Sequence, residues 1–218
     1  YLAAEGVNVE DIITIYAPLG HSDWREIVEK IKAFGSQGTK TAVISTISGD
    51  ANGHLYNELA AQQVEARNIP VMGLSVTARE LRGVDISRLV GHLAARNYFQ
   101  SVTAPENDAF VKMWTDFNEQ RDKITNDPME ATFIGFRMWT QAVIQAGTSD
   151  ANTIRQAMYG QRIKAPSGFE VVMHTNHHLS KPAMIGKLNP ALEAMADEAF
   201  TAWLSGRADL RGDPPRLL

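Results

Sequence analysis

The sequence contains no cysteine, no excess of basic residues and no long apolar run. Without cysteine, this chain of 218 residues lacks disulfides, thiolate metal sites and a thiol nucleophile. Its formal net charge of -4 provides none of the basic surface that nucleic-acid binding needs, so we expect no nucleic-acid partner. The apolar runs are much shorter than the roughly 18 residues that a membrane-spanning helix requires.

Motifs for phosphate binding and acyl transfer are also missing. Neither GxGxxG nor GxxxxGK[ST] occurs, so we expect no nucleotide and no other cofactor. No GxSxG elbow presents a serine nucleophile, and no spacing supports a triad built on Ser45 or Ser75. We therefore predict a protein without catalytic residues.

The residues that are present predict an alternating α/β chain. Apolar residues make up 44% of the sequence, which is enough for a hydrophobic core. Short runs rich in β-branched residues predict strands, and apolar residues at helical spacing predict helices. The predicted strands are 12–19, 41–47, 71–76 and 90–99. Residues 1–9 are predicted to be the end of a helix, and the next predicted helices are 24–34 and 53–67. This order is typical of a parallel sheet flanked by helices.

The second half of the chain breaks this alternation. We predict helices at 106–121, 127–147 and 150–158, followed by a hairpin at 168–188. Pro128 favours the start of the long helix and Gly147 favours its end. The aromatic side chains of the preceding helix are expected to face the core, and these are Phe110, Trp114 and Phe117.

Two loops that follow neighbouring predicted strands are candidate ligand sites. They are residues 45–50, with the sequence STISGD, and residues 74–80, with the sequence LSVTARE. In an open parallel sheet, ligands bind beyond the carboxyl ends of the strands, where both loops offer hydroxyls and backbone N–H groups. The same Ser, Thr and Asp residues are also typical helix caps. Capping and ligand binding therefore both remain open, and one does not exclude the other.

Three of the six histidines cluster in the sequence HTNHHLSKP, residues 174–182. His177 and His178 would point to opposite faces of a strand, so only a turn brings both of them near His174. The spacing matches no metal-binding motif, and no cysteine can complete a site. We predict a polar turn of hydrogen-bonded histidines, in which Asn176 suits a left-handed conformation. The alternative is a metal site and, with it, a metal-dependent hydrolase.

Several longer stretches resemble a known family. They are LGHSDW, AVISTISGD, ELRGVD, LVGHLAARNYFQSV, TNDPMEATFIG, APSGFEV and TNHHLSKPAMIG. These stretches resemble the urea-binding proteins of bacterial ABC urea transporters. More broadly, they are similar to the amide- and branched-chain-amino-acid-binding group of type I periplasmic binding proteins. The resemblance runs from about Val7 to Leu188.

The resemblance implies two α/β lobes that trap a ligand between them, with the first lobe missing from this chain. Residues 1–118 would form the core of the second lobe, and residues 119–165 would correspond to helices of the first. Residues 166–188 would form a hairpin that returns to the second lobe. Residues 189–218 do not resemble the family, and their apolar pattern predicts a helical C-terminal tail. Because the chain also begins without methionine, we expect its native start to be missing.

The resemblance also assigns roles to individual residues. The ligand contacts that it implies for the second lobe are Thr46, Ile47, Ser48, Gly49, Asp50, Ser75, Val76 and Thr77. The hinge residues that it implies, at the start of the long helix, are Thr125, Asp127 and Glu130. The ligand contacts lie in the two loops that the sheet argument selects.

The function implied by the resemblance is solute binding without catalysis, in an ABC uptake system for urea or short-chain amides. The partners would be a small polar solute and the ABC permease subunits, and the location would be periplasmic or lipid-anchored outside the cytoplasm. One alternative is a cytoplasmic amide sensor that regulates a partner protein, and another is a branched-chain amino-acid-binding protein. A missing first lobe would uncover Phe133, Phe136 and Trp139, which favours self-association.

Overall fold

The structure of the protein is a computed structural model that describes residues 2–189. The predicted helical tail, from Pro190 onward, lies outside the described residues. The helices are α1 (Arg25–Gly35), α2 (Ala51–Ala61), α3 (Pro105–Phe117), α4 (Asp127–Ala146) and α5 (Ala151–Met158). The strands are β1 (Val43–Ser45), β2 (Val71–Gly73), β3 (Leu93–Arg96), β4 (Arg162–Lys164), β5 (Glu170–Met173), β6 (Leu179–Ser180) and β7 (Met184–Lys187).

A four-stranded sheet in the order β1-β2-β3-β7 forms the centre of the first unit. The strands β1, β2 and β3 are parallel, whereas β7 joins β3 in the antiparallel direction. The strands β1 and β2 are short and mostly apolar, although Ile44 in the middle of β1 is 64% exposed. The order α1-β1-α2-β2 matches the alternation predicted for residues 24–76, and because β1 and β2 are parallel neighbours, their carboxyl ends lie at one edge of the sheet.

The core of this unit forms where α1 and α2 pack against the sheet. The helix α2 contributes Leu55, Tyr56 and Leu59, which are at most 3% exposed. The main buried partners of these side chains in the same cluster are Trp24, Val28, Val71, Val76, Ala94 and Leu188. The inner face of α2 is therefore fixed against the strands, and its first turn is held at the end of β1.

A second, smaller unit consists of α4, α5 and an antiparallel sheet in the order β4-β5-β6. Ile134 and Met138 of α4 pack with Ala165 and Val171 in a separate buried cluster. The helix α4 begins as its sequence predicts, because the Asn126 side chain accepts a hydrogen bond from the Met129 N–H. It ends at Gly147, which adopts the left-handed conformation.

Three local predictions are wrong. Residues 12–19 are not a strand, because the segment has no partner strand among the described residues and leaves Ile13, Tyr16 and Leu19 exposed. Residues 2–6 form turns and not the end of a helix. Phe117 is 81% exposed rather than buried, and it is the last residue of α3.

Gly73 is required where β2 ends, and its replacement by alanine is expected to lower the free energy of unfolding by about 1–3 kcal/mol. A Cβ at this position would lie 2.4 Å from the Val76 Cγ1 and 2.8 Å from the Tyr56 hydroxyl. Gly135 in α4 is the matched control, because a Cβ there would meet no described atom outside its own helix within 4 Å. Gly135→Ala should stabilise the chain by about 0.5–1 kcal/mol, since alanine is the better helix former. Equal stability of the two variants in thermal unfolding would contradict this packing.

Candidate functional site

Two loops leave the sheet side by side. The last residue of β1, Ser45, lies opposite the last residue of β2, Gly73. The Leu74 N–H donates to the Ser45 carbonyl at 2.8 Å, so the second loop starts against the first. The structure therefore brings the segments 46–50 and 74–77 together at the carboxyl edge of the parallel sheet. Ligands of open α/β sheets bind at such edges.

The first loop presents polar side chains that are not used for folding. Thr46, Ser48 and Asp50 are exposed, and no hydrogen bond within residues 2–189 occupies their side chains. Asp50 precedes α2 but makes no side-chain cap, so its carboxylate is available as an acceptor. Gly49 has a φ of +69°, a left-handed turn that suits glycine. Ile47 differs from these residues, because it packs partly against the core.

Most side chains of the second loop already make contacts within the protein. The Thr77 N–H donates to Glu80 Oε2 at 2.8 Å, and the Thr77 hydroxyl also donates to this carboxylate. The Val76 side chain is 1% exposed and belongs to the core. Ser75 is half-buried, and its carbonyl faces the first turn of α2. In this loop, Ser75 and the backbone are the groups available to a ligand.

Asn52 joins the two loops and was not predicted from the sequence. Its side-chain N–H₂ donates to the Ile47 carbonyl at 2.8 Å and to the Ser75 carbonyl at 3.4 Å. The residue is completely buried. The sequence signal that could have identified Asn52 is its spacing from Tyr56. Residues four apart share a helix face, here the face of α2 that carries Leu55 and Leu59.

The predicted hinge residue Thr125 lies in a buried hydrogen-bond network. Its hydroxyl is 2.7 Å from the Tyr98 hydroxyl, which also donates to Asn107 Oδ1 at 2.7 Å. The Thr125 N–H donates to Gln100 Oε1 at 2.6 Å. Burial raises the pKa of the Tyr98 hydroxyl well above its usual range, so Tyr98 remains protonated as a donor. A rotation at Thr125 would have to break these bonds, and its hinge role stays a prediction.

Asp127 and Glu130, also predicted at the hinge, take part in a cluster of opposite charges. The Lys181 ammonium lies 2.5 Å from Glu130 and 3.3 Å from Asp127, and the Arg96 guanidinium lies 3.9 Å from Asp127. Glu130 is fully buried, and its second oxygen accepts the Ser167 N–H at 2.7 Å. The cluster joins the end of β3 to the start of α4 and to the segment between β6 and β7.

The histidine cluster forms a polar turn, as predicted. The His174 ring hydrogen-bonds with the Ser180 hydroxyl at 2.6 Å, and the His177 ring lies 3.2 Å from the Tyr159 hydroxyl. The left-handed residue is His177, with a φ of +65°, rather than Asn176. Asn176 instead accepts the backbone N–H of His178. Among residues 2–189, no three His, Asp or Glu side chains are grouped closely enough to hold a metal ion.

The architecture is similar to solved solute-binding proteins of ABC transporters. One such protein, from Rhodopseudomonas palustris HaA2 in complex with p-hydroxybenzoic acid, has a TM-score of 0.73 and 21% identity. The match covers 86% of this chain and 50% of that protein. The leucine-binding protein LivK from Thermotoga maritima matches with a TM-score of 0.61 and 14% identity, over 81% of this chain and 48% of that protein. The fold is therefore that of the type I periplasmic binding proteins, as predicted, and the chain spans about half the length of these relatives.

Sequence comparison leads to the same group. A model of the periplasmic binding protein domain matches residues 1–194, and the chain belongs to this family. The chain is also 32% identical over 99 residues to a protein named limonene hydroxylase from Geobacillus stearothermophilus. That stretch is 45% of this chain and 18% of that protein, so the name carries no information about chemistry in this chain. Within the described residues, no helix is both long and apolar enough to cross a membrane.

Proposed function

We propose that the chain is the ligand-binding lobe of a solute-binding protein in an ABC uptake system, and that it binds its solute without catalysis. The observation that carries the proposal is the pair of loops at the edge of the sheet. Thr46, Ser48 and Asp50 are exposed there, and their side chains have no hydrogen-bond partner among residues 2–189. Membership in the periplasmic binding protein domain family supports the same function. The site residues are those of the two loops, from Thr46 to Asp50 and from Ser75 to Thr77.

The charges at the site favour a neutral solute that donates hydrogen bonds. Segments 46–50 and 74–77 contain no Lys or Arg, and Arg79, near the end of the loop 74–80, pairs with Asp122 at 3.3 Å. A carboxylate ligand would therefore find no free cation in these loops. The exposed Asp50 carboxylate accepts N–H groups well, because hydrogen bonds to charged acceptors are stronger than neutral ones. Urea or a short-chain amide fits these groups, and we propose this solute class.

Asp50 also leaves a second candidate ligand class. An amino acid carries an ammonium group, and Asp50 is the charge that would pair with it. A branched-chain amino acid is therefore the alternative solute, with its carboxylate held by groups outside these two loops. A cytoplasmic amide sensor would use the same pocket and differ in location. For the uptake function, we propose a periplasmic or lipid-anchored location and ABC permease subunits as partners.

The outer face of α4 supports a second, opposing wall in the complete binding site. The helix is apolar on two sides, and a helix of this kind is normally covered on both. Ile134 and Met138 face the small sheet, whereas Phe136 and Trp139 stack on the outer side with ring centroids 5.9 Å apart. These two rings are 63% and 45% exposed. In the proposed assembly, a first lobe or a second copy of the chain covers this face.

Calorimetric titration with urea, acetamide, leucine and 4-hydroxybenzoate tests the proposal. We expect saturable binding of urea or acetamide, and Asp50→Asn should weaken it about tenfold, because an acceptor charge is lost. Asp108→Asn removes an exposed charge on α3 and serves as the matched control, with unchanged affinity. A folded chain that binds none of these solutes would contradict the proposal, and binding of leucine alone would favour the alternative.

A further inference from the structure

Two polar groups beneath the two loops are buried without a partner in the described part of the chain. They are the side-chain oxygen Oδ1 of Asn52 and the hydroxyl of Tyr56, and both residues are 0% exposed. A buried polar group without a hydrogen bond is destabilising relative to the same group in water. Such groups in a folded protein often have a functional reason.

The orientation of the Asn52 side chain follows from its other contacts. Its N–H₂ group donates to the carbonyls of Ile47 and Ser75. If the amide were reversed, Oδ1 would face two carbonyl oxygens and no donor. The nitrogen must therefore point to the loops, which leaves Oδ1 as a free acceptor at the first turn of α2.

The Tyr56 hydroxyl lies on the same face of α2, one turn further along, because residues four apart are neighbours on a helix. The hydroxyl is directed at the end of β2, where a Cβ on Gly73 would lie 2.8 Å from its oxygen. Burial raises the pKa of Tyr56, so this hydroxyl stays protonated and can donate. The same face of α2 therefore carries a buried acceptor at Asn52, next to the Ser75 carbonyl, and a buried donor at Tyr56, next to Gly73.

We propose that Asn52 and Tyr56 form the polar floor of the ligand site and recognise a primary amide or urea group. Asn52 Oδ1 accepts an N–H of the solute, and the Tyr56 hydroxyl donates to its carbonyl oxygen. The inference rests on the proposed function and narrows its solute class. A carboxylate has no hydrogen to donate, so it leaves the Asn52 acceptor unpaired and binds poorly. Both groups are fully buried, so the solute reaches the floor only when residues 74–77 separate from α2, which displaces the buried Val76 side chain and breaks the 3.4 Å bond from Asn52 to Ser75.

Tyr56→Phe separates a ligand role from a structural one. The substitution removes a hydroxyl that has no hydrogen-bond partner within the described residues, so the ligand-free variant should melt at the same temperature as the parent chain or higher. Its affinity for acetamide should fall about tenfold, the effect of losing one good hydrogen bond. Tyr16→Phe is the matched control, because Tyr16 is 91% exposed and its hydroxyl is not part of the buried floor. Acetate should not compete with acetamide at concentrations at which acetamide saturates the chain.

The outcomes distinguish this inference from the function on which it rests. If the folded parent chain binds neither amides nor urea, both the proposed function and the inference that rests on it are wrong. If the parent binds acetamide and Tyr56→Phe binds it equally well, the inference alone is overturned. A strong loss of stability in ligand-free Tyr56→Phe would also overturn it, because the hydroxyl would then have a structural partner. Acetate that binds as tightly as acetamide would refute the role of Asn52 as an acceptor.

Discussion

Replacement of Lys181 by methionine is expected to lower the free energy of unfolding by about 3–5 kcal/mol, because it leaves a buried charge without its counter-ion. The Glu130 carboxylate is 0% exposed and would keep only the Ser167 N–H as a partner. Asp127 would lose its neighbour at 3.3 Å as well. A loss of this size is a large part of the stability of a typical domain, about 5–15 kcal/mol. Thermal and guanidinium unfolding measure it.

Lys112→Met is the control for this substitution. Lys112 forms an exposed pair with Asp116 on α3, and such pairs contribute only about 0.3–0.5 kcal/mol. The double variant Glu130→Gln with Lys181→Met should recover part of the loss, because a neutral amide still accepts the Ser167 N–H. Equal unfolding temperatures for Lys181→Met and Lys112→Met would show that the buried pair does not hold the two units together.

Replacement of His92 by leucine is expected to cost about 2–5 kcal/mol, because two buried backbone groups lose their partners. His92 Nδ1 accepts the Val71 N–H at 3.0 Å, and Nε2 lies 3.0 Å from the Val64 carbonyl. These partners require a neutral ring with its proton on Nε2. The ring thereby joins the start of β2 to the segment after α2. Unfolding at pH 7.5 measures the loss, and His54→Gln on the exposed side of α2 is the control.

His92 should also make the stability depend on pH. Burial lowers the pKa of His92 below its ordinary value of 6.5, so the unfolded chain binds this proton at a higher pH than the folded one. The stability from the neutral ring is complete above pH 6.5 and is lost as the pH falls below it. The slope reaches at most about 1.4 kcal/mol per pH unit from one proton. His92→Leu should flatten this slope between pH 6.5 and 5, and an unchanged slope would assign the effect to another group.

Local sequence signals predicted the parts of the fold that depend on local structure. The apolar run 41–47 follows Gly38 and contains β1, and the apolar run 71–76 follows Pro70 and contains β2. The helix α4 begins after Asn126 and ends at Gly147, where cap residues predict its ends. The position of the two candidate loops could be predicted as well, because parallel strands place their carboxyl ends at one edge of the sheet.

The remaining features could not be predicted, because they depend on residues that are distant in the sequence. The segment 12–19 has the composition of a strand, but a strand forms only where a neighbour offers free backbone groups. Glu130 and Lys181 are 51 positions apart, so no spacing rule connects them. Asn52 looked like an ordinary residue in the first turn of a helix. Its role depends on the carbonyl of Ser75, which lies in another loop.

Amide ¹H–¹⁵N correlation spectra of the chain, titrated with acetamide, test the central claim most directly. The proposed site predicts saturable shifts of the backbone amides in segments 46–50 and 74–77, together with the side-chain amide of Asn52. The amides of α3 and of the histidine turn should not move. Shifts centred on α3 or the histidine turn would contradict a ligand site at the carboxyl edge of the parallel sheet. The absence of any shift, even at acetamide concentrations that would saturate a weak site, would contradict it as well.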